Sequence, residues 1–200
     1  MLLMMLFLLC QDQNQGDDWI IVEPPRIGAR IKMPSLPVFT EEKIQPVRDQ
    51  NEITVRTRSS MLPSGKENIT FVYHDEHTNR TSRLQVKSVL DGAVTGAIAL
   101  VNGEIVRQSD IFLKNFKGRD FVYLCEIDDA KLQKSHQLKI RTRVILVRDR
   151  LFSMNYIAEN DAYDDKTADR FFDSFELVNK AADMPPKPRP GRARELAKQE

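Results

Sequence analysis

Two histidines and two carboxylates stand together in the run His74-Asp75-Glu76-His77, the densest set of potential metal ligands in the chain. Histidines three residues apart lie on one side of a helix, where both could reach a zinc ion. The run follows a predicted strand, however, and the sequence has one further histidine, His136. Because a zinc site needs three or four converging ligands, the pattern favours a solvated loop. A metal-dependent hydrolase that uses His74 and His77 is the alternative function.

Basic residues alternate along two predicted strands. Lys139, Arg141 and Arg143 share one face of the later strand, and Arg56 and Arg58 share one face of an earlier one. If these strands are neighbours, the five cations form a face that could bind a partner protein, an anionic polymer or a lipid headgroup. The alternative is a solvated face balanced by nearby acids, because alternating charge is ordinary on a half-buried strand.

Patterns for covalent or nucleotide chemistry are missing from the sequence, which has no Gly-x-Ser-x-Gly and no glycine-rich phosphate loop. Cys125 alternates with Phe121, Tyr123 and Ile127, which predicts a buried thiol and not a reactive one. We therefore expect no enzymatic activity and no cofactor.

The elements that position these residues follow from hydrophobic periodicity. Alternation with a period of two predicts strands at 53–58, 68–74, 104–113, 119–127, 136–147 and 151–158. Turns are predicted at Asn102-Gly103 and Lys117-Gly118. These strands and two helices predict an α+β fold, a mostly antiparallel sheet covered by helices.

The first predicted helix, 82–101, carries an apolar stripe, and its Gly92 and Gly96 predict a close approach of helix to sheet. The second is capped by Asp164 or Asp165 and ends in three phenylalanines within five residues. We expect this aromatic helix to dock near the sheet face of Phe121 and Tyr123, since an exposed aromatic patch is avoided in soluble monomers.

The composition of the chain limits the classes of function that it could have. The chain has 200 residues, 41% of them hydrophobic, which is enough for one domain with a buried core. Lys and Arg number 30 against 29 Asp and Glu, giving a net charge of +1. That balance argues against a nucleic-acid binder, whose affinity rests on an excess of cations over phosphates.

The first ten residues, Met1 to Cys10, are apolar and uncharged and precede the polar run Gln11 to Asp18. Such a run fits the core of a secretory signal and is too short to span a bilayer. It lacks a leading basic residue, and Leu9 is bulkier than signal peptidases and lipoprotein processing prefer. We expect export to the cell envelope, periplasmic or membrane-associated, with Cys10 a possible lipidation site. The alternative is a buried N-terminal strand or helix.

Proline distribution predicts the domain limits. Six prolines lie between 24 and 63, four between 185 and 190, and none in between. The predicted organisation is a signal-like or anchoring segment at 1–10, a linker at 11–27, a folded domain at 28–178 and a disordered, basic, Pro-rich tail at 179–200.

Several stretches resemble one family. They are Leu90 to Ile127, with Gly118-Arg119-Asp120-Phe121 inside it, then Arg141-Thr142-Arg143, Val147 to Phe152, and Asp169 to Phe175. Together they resemble uncharacterised bacterial exported proteins that carry a PsbP-like (Mog-type) domain. The resemblance implies a PsbP-like fold, a sheet covered by helices, and implies little about activity, because that fold serves unrelated accessory and binding roles.

The function expected from all of this is a non-enzymatic accessory domain, exported or membrane-associated, that binds an unknown protein or an anionic envelope ligand. Nucleic acid is not expected as a partner.

Overall fold

A computed structural model gives the structure of the protein and describes residues 19–25, 27–44, 53–74, 83–129, 134–148 and 150–178. The predictions for Cys10 and the apolar segment before it, for His77 and for the tail at 179–200 lie outside the described residues. The described strands are β1 (Ile20–Val22), β2 (Ala29–Met33), β3 (Val38–Ile44), β4 (Ile53–Met61), β5 (Glu67–His74), β6 (Glu104–Leu113), β7 (Phe116–Asp129), β8 (Lys134–Val147), β9 (Arg150–Glu159) and β10 (Glu176–Leu177). The described helices are α1 (Arg83–Val101) and α2 (Asp165–Asp173).

Two antiparallel sheets build the fold. The large sheet has seven strands in the order β3-β4-β5-β9-β8-β7-β6, and the small sheet has three in the order β1-β2-β10. Long hairpins dominate the large sheet, since β7 and β8 each have 14 residues. In the large sheet β3 and β6 are the two edges.

The predicted α+β class is wrong, because the described structure is mostly β, with 59% of it in strands. The two helices have only 19 and 9 residues. The sequence analysis predicted that helices cover the sheet. One face is instead covered in large part by the small sheet, whose β1 lies inside the segment predicted as a linker.

Each face of the large sheet carries its own hydrophobic core. On one face, aromatic residues of β5 and β9 pack under β1, β2 and α2. On the other face, α1 packs through Leu90 and Val94 on Phe121, Tyr123 and Cys125 of β7 and on neighbouring residues of β8. The central strands β7 and β8 bury side chains on both faces, as expected for strands in the middle of a covered sheet.

The aromatic helix docks on the opposite face from the one predicted. Phe171, Phe172 and Phe175 belong to the core with Phe71 and Phe152, whereas Phe121 and Tyr123 face α1. Asp164 caps this helix as predicted, and its side chain accepts hydrogen bonds from the backbone N–H groups of Lys166 and Thr167.

The glycines also have other structural roles than the sequence analysis predicted. Gly92 and Gly96 are exposed and nothing lies within 4 Å of a Cβ built on either, so they do not mediate close packing. The predicted turn at Gly118 is instead part of β7. A Cβ on Gly118 would stand 2.4 Å from the backbone oxygen of Val144, so glycine is needed there for the approach of β8.

Candidate functional site

The five cations singled out in the sequence lie on one face of the large sheet, but on strands that are not neighbours. β4, which holds Arg56 and Arg58, is separated from β8 by β5 and β9. With a spacing of about 4.8 Å between strands, roughly 14 Å of sheet separates the two sets. The condition for one continuous cationic face is not met.

On β8 the cations belong to a buried ionic cluster centred on Asp120 of β7. Arg141 donates two hydrogen bonds to the Asp120 carboxylate, Nε to Oδ1 and Nη2 to Oδ2, both 3.0 Å long. Arg143 donates a third from its Nε to Oδ2, also 3.0 Å. The side chains of Asp120 and Arg141 are only 6% and 9% exposed. These groups satisfy one another, and little of them is open to a ligand.

Helix α2 closes the cluster from above. Arg141 Nη1 donates to Asp169 at 2.6 Å, and Arg143 Nη1 donates to Asp173 at 3.4 Å. The ring of Phe172 lies between these acids along the helix, with the two guanidinium carbons 4.8 and 5.0 Å from its centroid. The arrangement clamps α2 to the sheet by charge as well as by apolar contact.

The pKa values in the cluster follow from this geometry. Burial alone would raise the pKa of Asp120, but hydrogen bonds and positive charge from Arg141, and then from Arg143, outweigh it and lower the pKa. Burial opposes the charged form of Arg141 too, yet Asp120 and Asp169 raise its pKa. Asp120 and Arg141 are therefore both held in their ionised forms.

The remaining cations also have partners. Lys139 Nζ lies 3.9 Å from the ring centroid of Tyr163, whose pKa burial raises to about 12. Arg56 pairs with Glu41 at 2.8 Å, and the guanidinium of Arg58 lies 4.2 Å over the Phe39 ring. Anion binding by the five cations stays a prediction, and the contacts just described do not favour it.

The histidine run is only partly visible. His74 ends β5, Asp75 to His77 lie outside the described residues, and His136 lies on β8 with Nδ1 3.8 Å from Glu159. Across the described part of the chain, no three His, Cys, Asp or Glu side chains converge on a point that could hold a metal ion. Cys125 is buried, and burial raises the pKa of its thiol.

A groove opens between α1 and the edge strand β6; we call it the α1–β6 groove. It has a volume of about 420 Å³ and is mostly apolar. Its lining residues are Asp91, Val94, Thr95, Ile98 and Ala99 from α1 and Ile105 and Gln108 from β6.

One end of the α1–β6 groove is acidic. Arg119 of β7, whose side chain is 10% exposed, pairs with Asp91 of α1 at 2.7 Å and with Asp110 of β6. Asp91 and Asp110 are 45% and 69% exposed. One guanidinium thus faces two carboxylates, which leaves a surplus negative charge at the surface.

The helix and the strand that form the groove carry further exposed apolar side chains. Leu100 at the end of α1 is 80% exposed, and Ile105, Val106 and Phe112 of β6 are exposed as well. From Gly92 to Val101 the helix carries no charged residue, so its outer surface there is as uncharged as its inner one. Neither described helix has the length and apolarity needed to cross a bilayer.

The sequence argument found Arg141 and Arg143 but missed Asp120, the residue that holds them together. A signal existed, because Asp120 shares its strand face with the apolar Val122 and Leu124. The α1–β6 groove was missed altogether, since nothing local in β6 indicates that it lies at an edge of the sheet.

Comparisons with known proteins found no matching family model and no matching curated protein. The solved structures that are similar to this chain include the following two. Cyanobacterial PsbP (CyanoP) from Synechocystis sp. PCC 6803 is 11% identical, with a TM-score of 0.48 over 85% of this chain and 99% of that one. A protein of unknown function from Pseudomonas aeruginosa is 12% identical, with a TM-score of 0.33 over 86% of this chain and 98% of that one.

The similarity to CyanoP is to a protein of the kind that the sequence resemblance named. At 11% identity this similarity concerns the backbone fold alone. No activity, ligand or location of this protein follows from it.

Proposed function

We propose that this protein is a non-enzymatic accessory domain that binds a partner protein through the α1–β6 groove. The observation that carries the proposal is an apolar groove of about 420 Å³ beside an edge strand, formed by two elements that carry further exposed apolar side chains. Contiguous exposed apolar surface marks interaction sites in soluble proteins, because leaving it in water has a free-energy cost that binding removes.

The state of the charged groups supports a binding role over catalysis. Catalytic acids and bases need pKa values near the working pH and access to substrate. Asp120 and Arg141 are instead driven toward full ionisation by each other, and α2 covers them. The buried thiol of Cys125 has a raised pKa, which lowers its nucleophilic fraction at neutral pH.

The opposite edge of the sheet is the weaker candidate. β3 also exposes Val38 and Phe39, but Arg58 lies over the Phe39 ring and Glu41 pairs with Arg56. β3 is also the more densely charged edge, with three charged residues among seven against three among ten in β6. Charged edges disfavour pairing with other chains.

The experiment compares two matched substitutions on the full-length protein. Ile105 in the groove is 44% exposed and Val38 on β3 is 42% exposed, so lysine at either site should leave the fold intact. A photo-crosslinking residue at Thr95 would capture partners in cells, and mass spectrometry would identify them. We expect one identified protein with the wild-type background and with Val38→Lys, and its loss with Ile105→Lys. Equal capture by all three would overturn the proposal.

We also propose that the protein works in the cell envelope, which rests on the apolar run from Met1 to Cys10. Fractionation of cells that produce the full-length chain or a chain starting at Gln11 would test it. Loss of the envelope fraction on removing the run supports export, whereas equal cytosolic recovery overturns it. Release of the protein from membranes by Cys10→Ser would support lipidation, and unchanged retention would exclude it.

A further inference from the structure

The edge strand beside the α1–β6 groove is open to pairing. β6 bonds to β7, and no described strand pairs with its other side. It has ten residues without a proline, and Glu104 to Asp110 are all exposed. A row of free backbone N–H and C=O groups at such an edge can accept an additional strand.

The groove lies where the side chains of an added strand would point. In a strand every second side chain lies on the same face, about 6.8 Å apart. An added strand beside β6 would therefore direct alternate side chains toward Thr95, Ile98 and Ala99 of α1. These are small or apolar, so the groove fits aliphatic side chains and not charged ones.

The acidic end of the groove predicts the type of one further residue in the bound segment. Asp110 lies toward the end of β6, and with Asp91 it carries the surplus negative charge left by Arg119. A bulge between Ile105 and Arg107 brings Ile105 to the same face as Gln108 and Asp110. A strand antiparallel to β6 passes Asp110 first, then Gln108, then Ile105. A basic residue on the groove face should thus precede the aliphatic ones in the sequence of the bound segment.

On this basis, and resting on the proposed function, we propose that the α1–β6 groove binds an extended segment of a partner protein as an antiparallel strand on β6. The segment carries a basic residue followed by aliphatic residues at every second position. A second copy of this chain is a poorer occupant. Symmetric antiparallel pairing of two β6 strands about their middle would offer neither Asp110 a cation, because the other side chains on that face of β6 are Ile105, Gln108 and Phe112.

The probe is a fluorescein-labelled peptide, Lys-Thr-Val-Thr-Val-Thr-Val, titrated with the full-length protein and followed by fluorescence anisotropy. We expect Ile105→Lys to abolish binding and Val38→Lys to leave it unchanged. Replacing the peptide lysine with glutamate should weaken binding about tenfold, and Asp110→Asn should reduce that preference to about threefold. Methylating alternate backbone nitrogens should abolish binding for one of the two sets only, because one edge of the peptide faces β6.

Three results would overturn the inference. One is equal binding of the lysine and glutamate peptides. Another is tolerance of both methylated sets, which would exclude strand addition. The third is a dimer in analytical ultracentrifugation that Ile105→Lys dissociates, which would make a second copy the occupant. If the crosslinked partner still depends on Ile105 while no peptide binds, the binding function stands and only the strand mode fails.

Discussion

Replacing Asp120 with alanine should destabilise the protein far more than replacing either acid of α2 that contacts the same arginines. Asp120 accepts three hydrogen bonds from Arg141 and Arg143 and its side chain is 6% exposed. Without it, Arg141 would keep only Asp169 as a carboxylate partner while 9% exposed.

The magnitude follows from burial. Removing one partner of a buried ion pair leaves an uncompensated charge and costs about 3–5 kcal/mol. Asp169 and Asp173 are 58% and 73% exposed, so alanine there should cost no more than about 1 kcal/mol. A domain of this size is stable by about 5–15 kcal/mol, so the Asp120→Ala variant should still fold at low temperature. We expect the midpoint of its thermal unfolding to be lowered by roughly 10 °C.

Urea titration followed by tryptophan fluorescence measures these differences. The chain has one tryptophan, Trp19, whose ring centroid lies 6.5 Å from that of Phe171 in the same core as α2. A double-mutant cycle of Asp120→Ala with Arg143→Met separates the coupling of the pair from the loss of packing.

The pH dependence has a defined sign. Because the pKa of Asp120 is lowered in the folded state, its contribution to stability is complete above the unfolded pKa of about 4 and is lost as the pH falls below it. The difference between wild type and Asp120→Asn should therefore shrink in acid. A cost under about 1 kcal/mol for Asp120→Ala, or one equal to that of Asp173→Ala, would refute the clamp described above.

Three further predictions test the packing. Phe171→Ala or Phe175→Ala should each cost about 3–5 kcal/mol in a urea titration, since both rings are buried in the core between the sheets; near-wild-type stability would make α2 peripheral. Gly118→Ala should destabilise strongly because its Cβ would meet a strand oxygen at 2.4 Å, whereas Gly92→Ala, with nothing within 4 Å, should stabilise by up to about 1 kcal/mol; the reverse order would contradict the described register. In a Cys10→Ser background, the buried Cys125 should react with a thiol reagent only as fast as the protein unfolds, and rapid reaction in the folded state would contradict its burial.

Local signals in the sequence predicted the elements well. Period-two alternation placed β4 to β9 within about three residues of their observed ends, because alternation is a property of each strand by itself. The Asp164 cap and the Asn102-Gly103 turn were predicted for the same reason, and Asn102 does adopt a positive φ of 49°. Gly118 misled the prediction, because the contact that requires glycine comes from another strand.

The sequence by itself determined where β4 to β9 and both helices lie, that the chain can bury a core, and that no pattern for nucleotide or serine chemistry is present. Tertiary structure alone decided the order of the strands, and with it which faces are covered and which strand is an edge. Arg141 looked like a surface cation because its carboxylate partners, Asp120 and Asp169, are 21 and 28 residues away. The groove beside β6 was invisible for the same physical reason: it exists only where long-range pairing ends the sheet beside α1, and no local pattern records where pairing ends.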